Sequence, residues 1–363
     1  MKKHRIVFVI HALNIGGAER IVVSLMNHLS RDHYEIHLVV FDASGAFFQE
    51  LASDIVVHNL GVRSATRGLL PLFRTLYRLE PDTVFAGIGY LNALLSVGIV
   101  WLNRLAKKPI RWVARETSIV SRIIQQERFT FIFEWLYRHH YHRFDRIICQ
   151  SNYMKTDLSA HYGLDPKKMV VIHNPVDGAR IEAMAQMPLS YRFDPNKVNL
   201  LAVGALRPVK QFDHLIEALS HLDDRYHLTL VGDGVEAPRL KSLTQTLGLE
   251  DRVTFEGHQL NPYPYMKSAD VLLLSSAYEG FPNVVLEANY LGLPVIAYGA
   301  VGGIIEIVQS GITGELVASN PLALVEAIEA FDKDQYHPHR LREITFKRFG
   351  IQRIMRAYEA VLS

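Results

Sequence analysis

Cysteine is almost missing from this chain: Cys149 is the one cysteine in 363 residues. That excludes a disulfide framework and a cysteine-built zinc site, and it suits a reducing compartment such as the cytoplasm. Long hydrophobic runs are missing too. The longest, YLNALLSVGIVWL at Tyr90–Leu102, is too short to cross a bilayer and contains Asn92, so it reads as a buried helix. The opening MKKHRIVFVIHALNIGG has the cations of a secretory leader, but its apolar core is only IVFVI and gives way at once to polar residues, which argues against a leader. No charge of one sign dominates, with 39 Lys and Arg against 37 Asp and Glu. The GxGxxG fingerprint of dinucleotide binding does not occur at its expected place, which disfavours an NAD-dependent dehydrogenase. No nucleic-acid-binding motif is present.

What is there is ordinary globular material, 49% hydrophobic and 21% charged, in a chain long enough for two domains. The small net charge hides an asymmetry. Residues 1–175 hold 22 Lys and Arg against 14 Asp and Glu, whereas residues 176–363 hold 17 against 23. A basic amino half suggests an acidic partner, either phosphate or an anionic membrane surface. Strand-like runs alternate with amphipathic helical runs throughout: RIVFVIH, then AERIVVSLMNHLS, then EIHLVVF; later VNLLAVGAL, FDHLIEALSHL and YHLTLVGDG. This alternation predicts an α/β chain with parallel sheets covered by helices. Two such series, divided by the Pro-, Asp- and Asn-rich stretch that begins at NPVDGAR, predict two Rossmann-like doubly wound domains facing a central cleft. The expected domains are residues 1–178 and 179–345, followed by a closing helix over 346–363.

Ligands of such sheets bind at the carboxyl ends of the strands, so the loops there carry the informative residues. ADVLLLSSAY (Ala269–Tyr278) reads as a buried strand and PNVVLEANYLG as a helix, with Pro282 at its start and Gly292 at its end. Glu279 then lies in a strand-to-helix loop and Glu287 about one turn into the helix. A helix amino terminus favours phosphate, and flanking carboxylates suit the hydroxyls of a sugar or ribose. Both glutamates could equally cap or solvate the helix start. Arg207 and Lys210 stand three apart before a helix beginning near Phe212. Two cations oppose the dipole of that helix, and they make sense if they neutralise an external diphosphate; solvated surface cations are the alternative. Gly16 and Gly17 allow close backbone approach after the first strand, and GAVGGIIEIV offers a second glycine loop before Glu306. The DKD run at Asp332–Asp334 reads as solvated surface. His139, His140 and His142 lack a metal-ligand spacing.

Taken in order, NIGGAER, VIHNPVD, VGALRPVKQFD, LVGDG, EGFPNVVLEA and GGIIEIV…SGITGELV resemble the retaining, nucleotide-sugar-dependent glycosyltransferases of family 4, which have the GT-B fold. The resemblance covers nearly the whole chain. It implies an acceptor-binding amino domain, a donor-binding second domain and a final helix crossing back onto the first. Residue by residue, it implies that Glu287 binds the ribose hydroxyls and Lys210 the diphosphate. Glu279 lies near the transferred sugar, and Gly280, Phe281 and Asn283 line the donor pocket. Gly16 and Gly17 approach from the amino domain. Glu279, Lys210 and Arg207 form the expected catalytic set. Two departures stand out. Ala205 occupies a position where the family often has arginine, with Arg207 the nearest substitute. No histidine follows the strand near residues 110–115, where many members carry one; Arg115 and Glu116 are there instead. Together with Asn174 they form the expected acceptor or sugar side.

The implied reaction is transfer of a hexosyl or N-acetylhexosaminyl unit from a nucleotide-diphospho-sugar, with a UDP-sugar as the expected donor. The acceptor is a glycan or lipid-linked glycan, configuration is retained, and neither metal nor cofactor takes part. A nucleotide-sugar epimerase or hydrolase on the same fold is a second reading. A non-catalytic, membrane-associated partner subunit is a third, against which Lys210, Glu279 and Glu287 count. The stretch Ser121–Ile147 mixes aromatic and branched apolar residues with arginines and histidines. It reads either as a basic membrane-surface helix or as a core helix with a solvated basic face. With the basic amino half, it implies a cytoplasmic protein able to rest on the inner face of a membrane.

Overall fold

A computed structural model describes residues 3–14, 16–126, 129–189, 191 and 193–363. The chain divides into two compact units, residues 1–175 with 352–363, and residues 176–351. The division falls at 175 and 351 rather than at the expected 178 and 345. Val176 is bound into the second unit: its N–H donates to the Phe349 carbonyl at 2.7 Å, and its own carbonyl accepts from Ile351 N–H at 3.0 Å. The helix Pro338–Phe349 also stays with the second unit, against the Asn283–Tyr290 helix.

In the first unit seven strands form one parallel sheet in the order β3-β2-β1-β4-β5-β6-β7. They are β1 His4–Ile10, β2 Tyr34–Val40, β3 Val56–Asn59, β4 Thr83–Ala86, β5 Arg111–Arg115, β6 Arg146–Cys149 and β7 Met169–Val171. The centre is apolar throughout: Ile6 to Ile10 and Val84 to Ala86 are buried, as strands covered on both faces require. The edge strand β3 leaves Val56 and Val57 exposed, and its short SDIVVHN run carries no alternation strong enough to be read beforehand. The final helix, Ile351–Leu362, belongs largely to this unit. Tyr358 is buried in it, and the Leu362 carbonyl accepts from Thr83 Oγ1 at 2.9 Å.

The second unit repeats the plan with β10-β9-β8-β11-β13-β15: β8 Val198–Val203, β9 Tyr226–Val231, β10 Val253–Gly257, β11 Val271–Leu274, β13 Val295–Tyr298 and β15 Gly314–Val317. A separate two-stranded ribbon pairs β12 (Tyr278–Glu279) with β14 (Val301–Gly302). The single strand expected over Ala269–Tyr278 is therefore two. It breaks after Leu274, where the Ser275 hydroxyl turns to the Lys210 and Gln211 carbonyls and that of Ser276 to Glu279, three residues on. Gly292 ends the Asn283–Tyr290 helix at φ 84°, a left-handed conformation that a side chain resists.

The Tyr90–Leu102 run forms a largely buried helix, as expected, but with one face open. The helix Gly89–Leu105 buries Leu91, Leu95, Ile99 and Leu102 but exposes Val97, Trp101 and Leu105.

Candidate active site

The strand order of the second sheet reverses between β8 and β11. In a doubly wound sheet that switch point is where the two departing loops spread apart and leave room for a ligand. The loop after β8 is held from behind, backbone against backbone. Gly232, after β9, sits at φ 149°, and a Cβ there would stand 1.8 Å from the Gly204 carbonyl oxygen. Leu206 N–H donates to the Asp233 carbonyl, and the Leu206 carbonyl accepts from Glu236 N–H, both at 3.0 Å. Only glycine allows the two loops to lie this close.

The same loop then turns through Pro208–Lys210 and Gln211 into the Phe212–His221 helix. Gln211 adopts φ 48°, a left-handed conformation unusual for a non-glycine residue. The loop leaving β11 stabilises that turn. Ser275 Oγ lies 2.8 Å from the carbonyls of both Lys210 and Gln211, and Ala277 N–H donates to the Val209 carbonyl at 2.9 Å. The result is a fixed meeting of two side chains 69 residues apart: Lys210 Nζ lies 2.5 Å from Glu279 Oε1. Ser276 Oγ donates to the same oxygen at 2.6 Å. The lysine side chain keeps 25% of its surface exposed and the glutamate 13%. An incoming anion can therefore reach the ammonium.

Four residues beyond Glu279 the helix Asn283–Tyr290 begins, with Pro282 just before it. Gly280 is buried in the connecting turn. Phe281 points its ring into the core, edge-on to Phe349 at 5.8 Å between centroids, so only its backbone is available to a ligand. Asn283 is half-buried at the first helical position. Glu287, one turn on, is also half-buried and accepts a hydrogen bond from Tyr263 Oη at 3.0 Å; Arg180 donates to that hydroxyl at 3.2 Å. Arg207 lies on the Lys210 loop but is exposed and makes no side-chain hydrogen bond or ion pair among the described residues. Glu306 offers its carbonyl to Arg348. Asp332 and Asp334 are exposed, Asp332 capping a short turn by accepting from Asp334 N–H. Among the described residues no three His, Cys, Asp or Glu side chains converge as metal ligands.

The remaining expected residues lie in the first unit, at the carboxyl edge of its sheet. Gly16 and Gly17 open the Gly17–His28 helix. A side chain at Gly16 would collide with the Glu19 carboxylate, which burial pushes above the usual range against the pull of its own N–H and of Arg115. Arg115, Glu116 and Asn174 do come together, in a buried cluster linked through Asn92 in which Arg115 Nη1 has no hydrogen-bond partner among the described residues. Arg115 is fully buried; it donates from Nε to Tyr358 Oη at 3.1 Å and from Nη2 to Asn174 Oδ1 at 2.8 Å. Asn174 donates onward to Gln150 at 3.1 Å. Glu116 accepts from Tyr141, from Tyr137 at 3.2 Å and from Asn92 at 3.4 Å. Burial holds its carboxyl above the ordinary range despite those donors.

The chain matches two family descriptions. "Glycosyltransferase Family 4" covers residues 15–180 and "Glycosyl transferases group 1" residues 187–348. The chain belongs to the family 4 glycosyltransferases. One relative, from Campylobacter jejuni, is N-acetylgalactosamine-N,N'-diacetylbacillosaminyl-diphospho-undecaprenol 4-alpha-N-acetylgalactosaminyltransferase. It is 27% identical over 77% of this chain and 76% of its own length. N-acetyl-alpha-D-glucosaminyl L-malate synthase of Bacillus anthracis is 32% identical over 49% of this chain and 48% of its own. Among solved structures, the Anabaena protein HepE in complex with UDP and glucose superimposes with a TM-score of 0.80 over 99% of each chain, at 23% identity. The glycosyltransferase thus has the GT-B fold, with the polar pair Lys210–Glu279 at the switch point of its second sheet.

Sequence reading missed Ser275, Ser276, Tyr263 and Arg180. The serine pair directly precedes AYEG and could have been noticed. Tyr263 carries no local signal, because only folding brings it to Glu287.

Proposed function

We propose that this glycosyltransferase moves a hexosyl or N-acetylhexosaminyl unit from a UDP-sugar to a glycan or lipid-linked glycan, with retention of configuration. The observation that carries the donor reading is the partly open Lys210–Glu279 pair, built from the two loops that flank the switch point and set just ahead of a helix start. When the glycosidic bond breaks, negative charge builds on the departing diphosphate. Lys210 is held at Glu279, four residues ahead of the helix start, and exchanging Glu279 for phosphate oxygens would let it stabilise that charge. Glu279, anchored by Ser276, then becomes an acceptor for sugar hydroxyls. Glu287, oriented by Tyr263, would accept from the ribose hydroxyls. Arg207 would add a second, mobile cation. Retention follows if the acceptor attacks from the face that the diphosphate leaves, the phosphate taking the proton; no side chain is assigned as base. The complexes of HepE with UDP support the nucleotide, and the name of the Campylobacter relative supports an acceptor on a lipid diphosphate.

The test is thermal stabilisation by a panel of nucleotides and nucleotide sugars, for the native chain and Glu287→Ala. At a hundredfold excess over the dissociation constant, binding to the folded state adds about 2.7 kcal/mol, a rise of several degrees. UDP or one UDP-sugar should give that rise, and Glu287→Ala should reduce it. No rise with any uridine nucleotide overturns the donor reading. Sugar release or isomerisation without any acceptor would favour the epimerase or hydrolase reading.

A further inference from the structure

The first unit exposes two apolar stripes that packing does not explain. On the Gly89–Leu105 helix, Val97, Trp101 and Leu105 recur every fourth residue and are 41%, 68% and 63% exposed. On the Thr130–His139 helix, Phe131 and Trp135 do the same at 72% and 51%. Such spacing puts each set on one helix face. The two faces join through a short chain of contacts. Arg143 Nη1 reaches the Val97 carbonyl at 3.3 Å and His140 Nδ1 at 2.6 Å, and the His140 ring lies 4.5 Å from that of Trp135. The two stripes thus flank a basic junction of Arg143 and His140.

On these two helices the exposed charges among the described residues are of one sign. Arg104 follows Trp101 by three residues and Arg138 follows Trp135 by three; both are exposed. The first helix has no acidic residue, and the second has only Glu134, which is half-buried. An exposed apolar patch of this kind marks an interaction site, and the rim selects the partner. A symmetric pairing with a second copy would set the same arginines against each other. An anionic bilayer offers what the patch lacks: a headgroup layer for the arginines, and an interface in which tryptophan is at home.

We infer that the surface formed by Val97, Trp101, Leu105, Phe131 and Trp135 docks the protein onto an anionic lipid bilayer. No helix among the described residues is long and apolar enough to cross a membrane, so attachment through this face is interfacial. The expected segment Ser121–Ile147 contributes through its second half; Glu127 and Arg128 lie outside the described residues.

Flotation with vesicles of phosphatidylcholine, with and without phosphatidylglycerol, tests this on the full chain. The native protein should float with the anionic vesicles and be released by salt. Trp101→Ser with Trp135→Ser should weaken partition by about tenfold or more, and Arg104→Glu with Arg138→Glu should weaken it on anionic vesicles only. All four positions are exposed, so uridine-nucleotide stabilisation serves as a control for folding. Failure of the native chain to float, or flotation unchanged in the tryptophan variant, overturns the inference. So does self-association, measured by sedimentation velocity, that the tryptophan variant abolishes while flotation persists.

Discussion

The two units place charged residues at the same topological address, the carboxyl edge of a doubly wound sheet, and treat them in opposite ways. In the first unit Arg115 and Glu116 are fully buried, each engaged by neutral hydroxyls and amides. In the second, Lys210 and Glu279 answer one another directly and stay partly open. A buried ion fixed by neutral hydrogen-bonding partners cannot easily rearrange, because removing it strands those partners. An ion whose only strong partner is an exchangeable counter-ion can rearrange when an anion arrives. Position in the fold therefore does not set how freely a charge can rearrange; burial and the nature of its partners do.

The comparison can be broken most forcefully at Arg115. Arg115→Ala should cost about 1–3 kcal/mol of stability for each stranded partner, because Asn174 and Tyr358 lose a shared buried donor; denaturant unfolding would show it. A variant as stable as the native chain would contradict a structural role for the buried pair. Next is Lys210→Ala. On the proposed role it should lower kcat by about a hundredfold to a thousandfold while the thermal midpoint barely moves. A large stability loss with unchanged kcat would move Lys210 to the structural side.

Glu116→Gln sharpens the contrast through pH. Burial raises the Glu116 pKa in the folded chain, so the folded state holds its proton longer than the unfolded one. The stability it contributes is full below the ordinary glutamate pKa of about 4.3. It is lost as pH rises toward the folded value. The native chain should therefore lose stability relative to Glu116→Gln across that window, as thermal scans at stepped pH would show. A difference that does not change with pH would mean that the folded chain does not hold this proton. The smallest effect is expected at Arg207→Ala: exposed, and without a side-chain hydrogen bond or ion pair among the described residues, it should reduce kcat/KM by no more than about tenfold. An effect as large as that of Lys210→Ala would place Arg207 on the diphosphate as firmly as the lysine.

Much of this was legible beforehand. Alternating apolar runs and helical periods marked most strands and helices, because parallel strands must be apolar on both faces. The lone VVHN edge strand escaped, having only one neighbour and too little burial to leave a pattern. The division between units was read a few residues off, because the Val176–Ile351 pairing that sets it joins segments 175 residues apart. Arg115 and Glu116 stood out as charged residues at a strand end, yet nothing local distinguishes a side chain bound for solvent from one destined for burial under Tyr358 and Tyr141.

The sequence by itself determined the parallel α/β plan, the family and the loops where charge gathers, since each depends on residue order within some ten to twenty positions. Tertiary structure alone decided which charges stay open, because openness depends on what distant segments cover. It bent Gln211 against the Ser275 hydroxyl to bring Lys210 to Glu279. It sent Tyr263 to Glu287 and closed the final helix over Arg115. It also left Trp101 uncovered on a helix whose apolar run alone reads as buried.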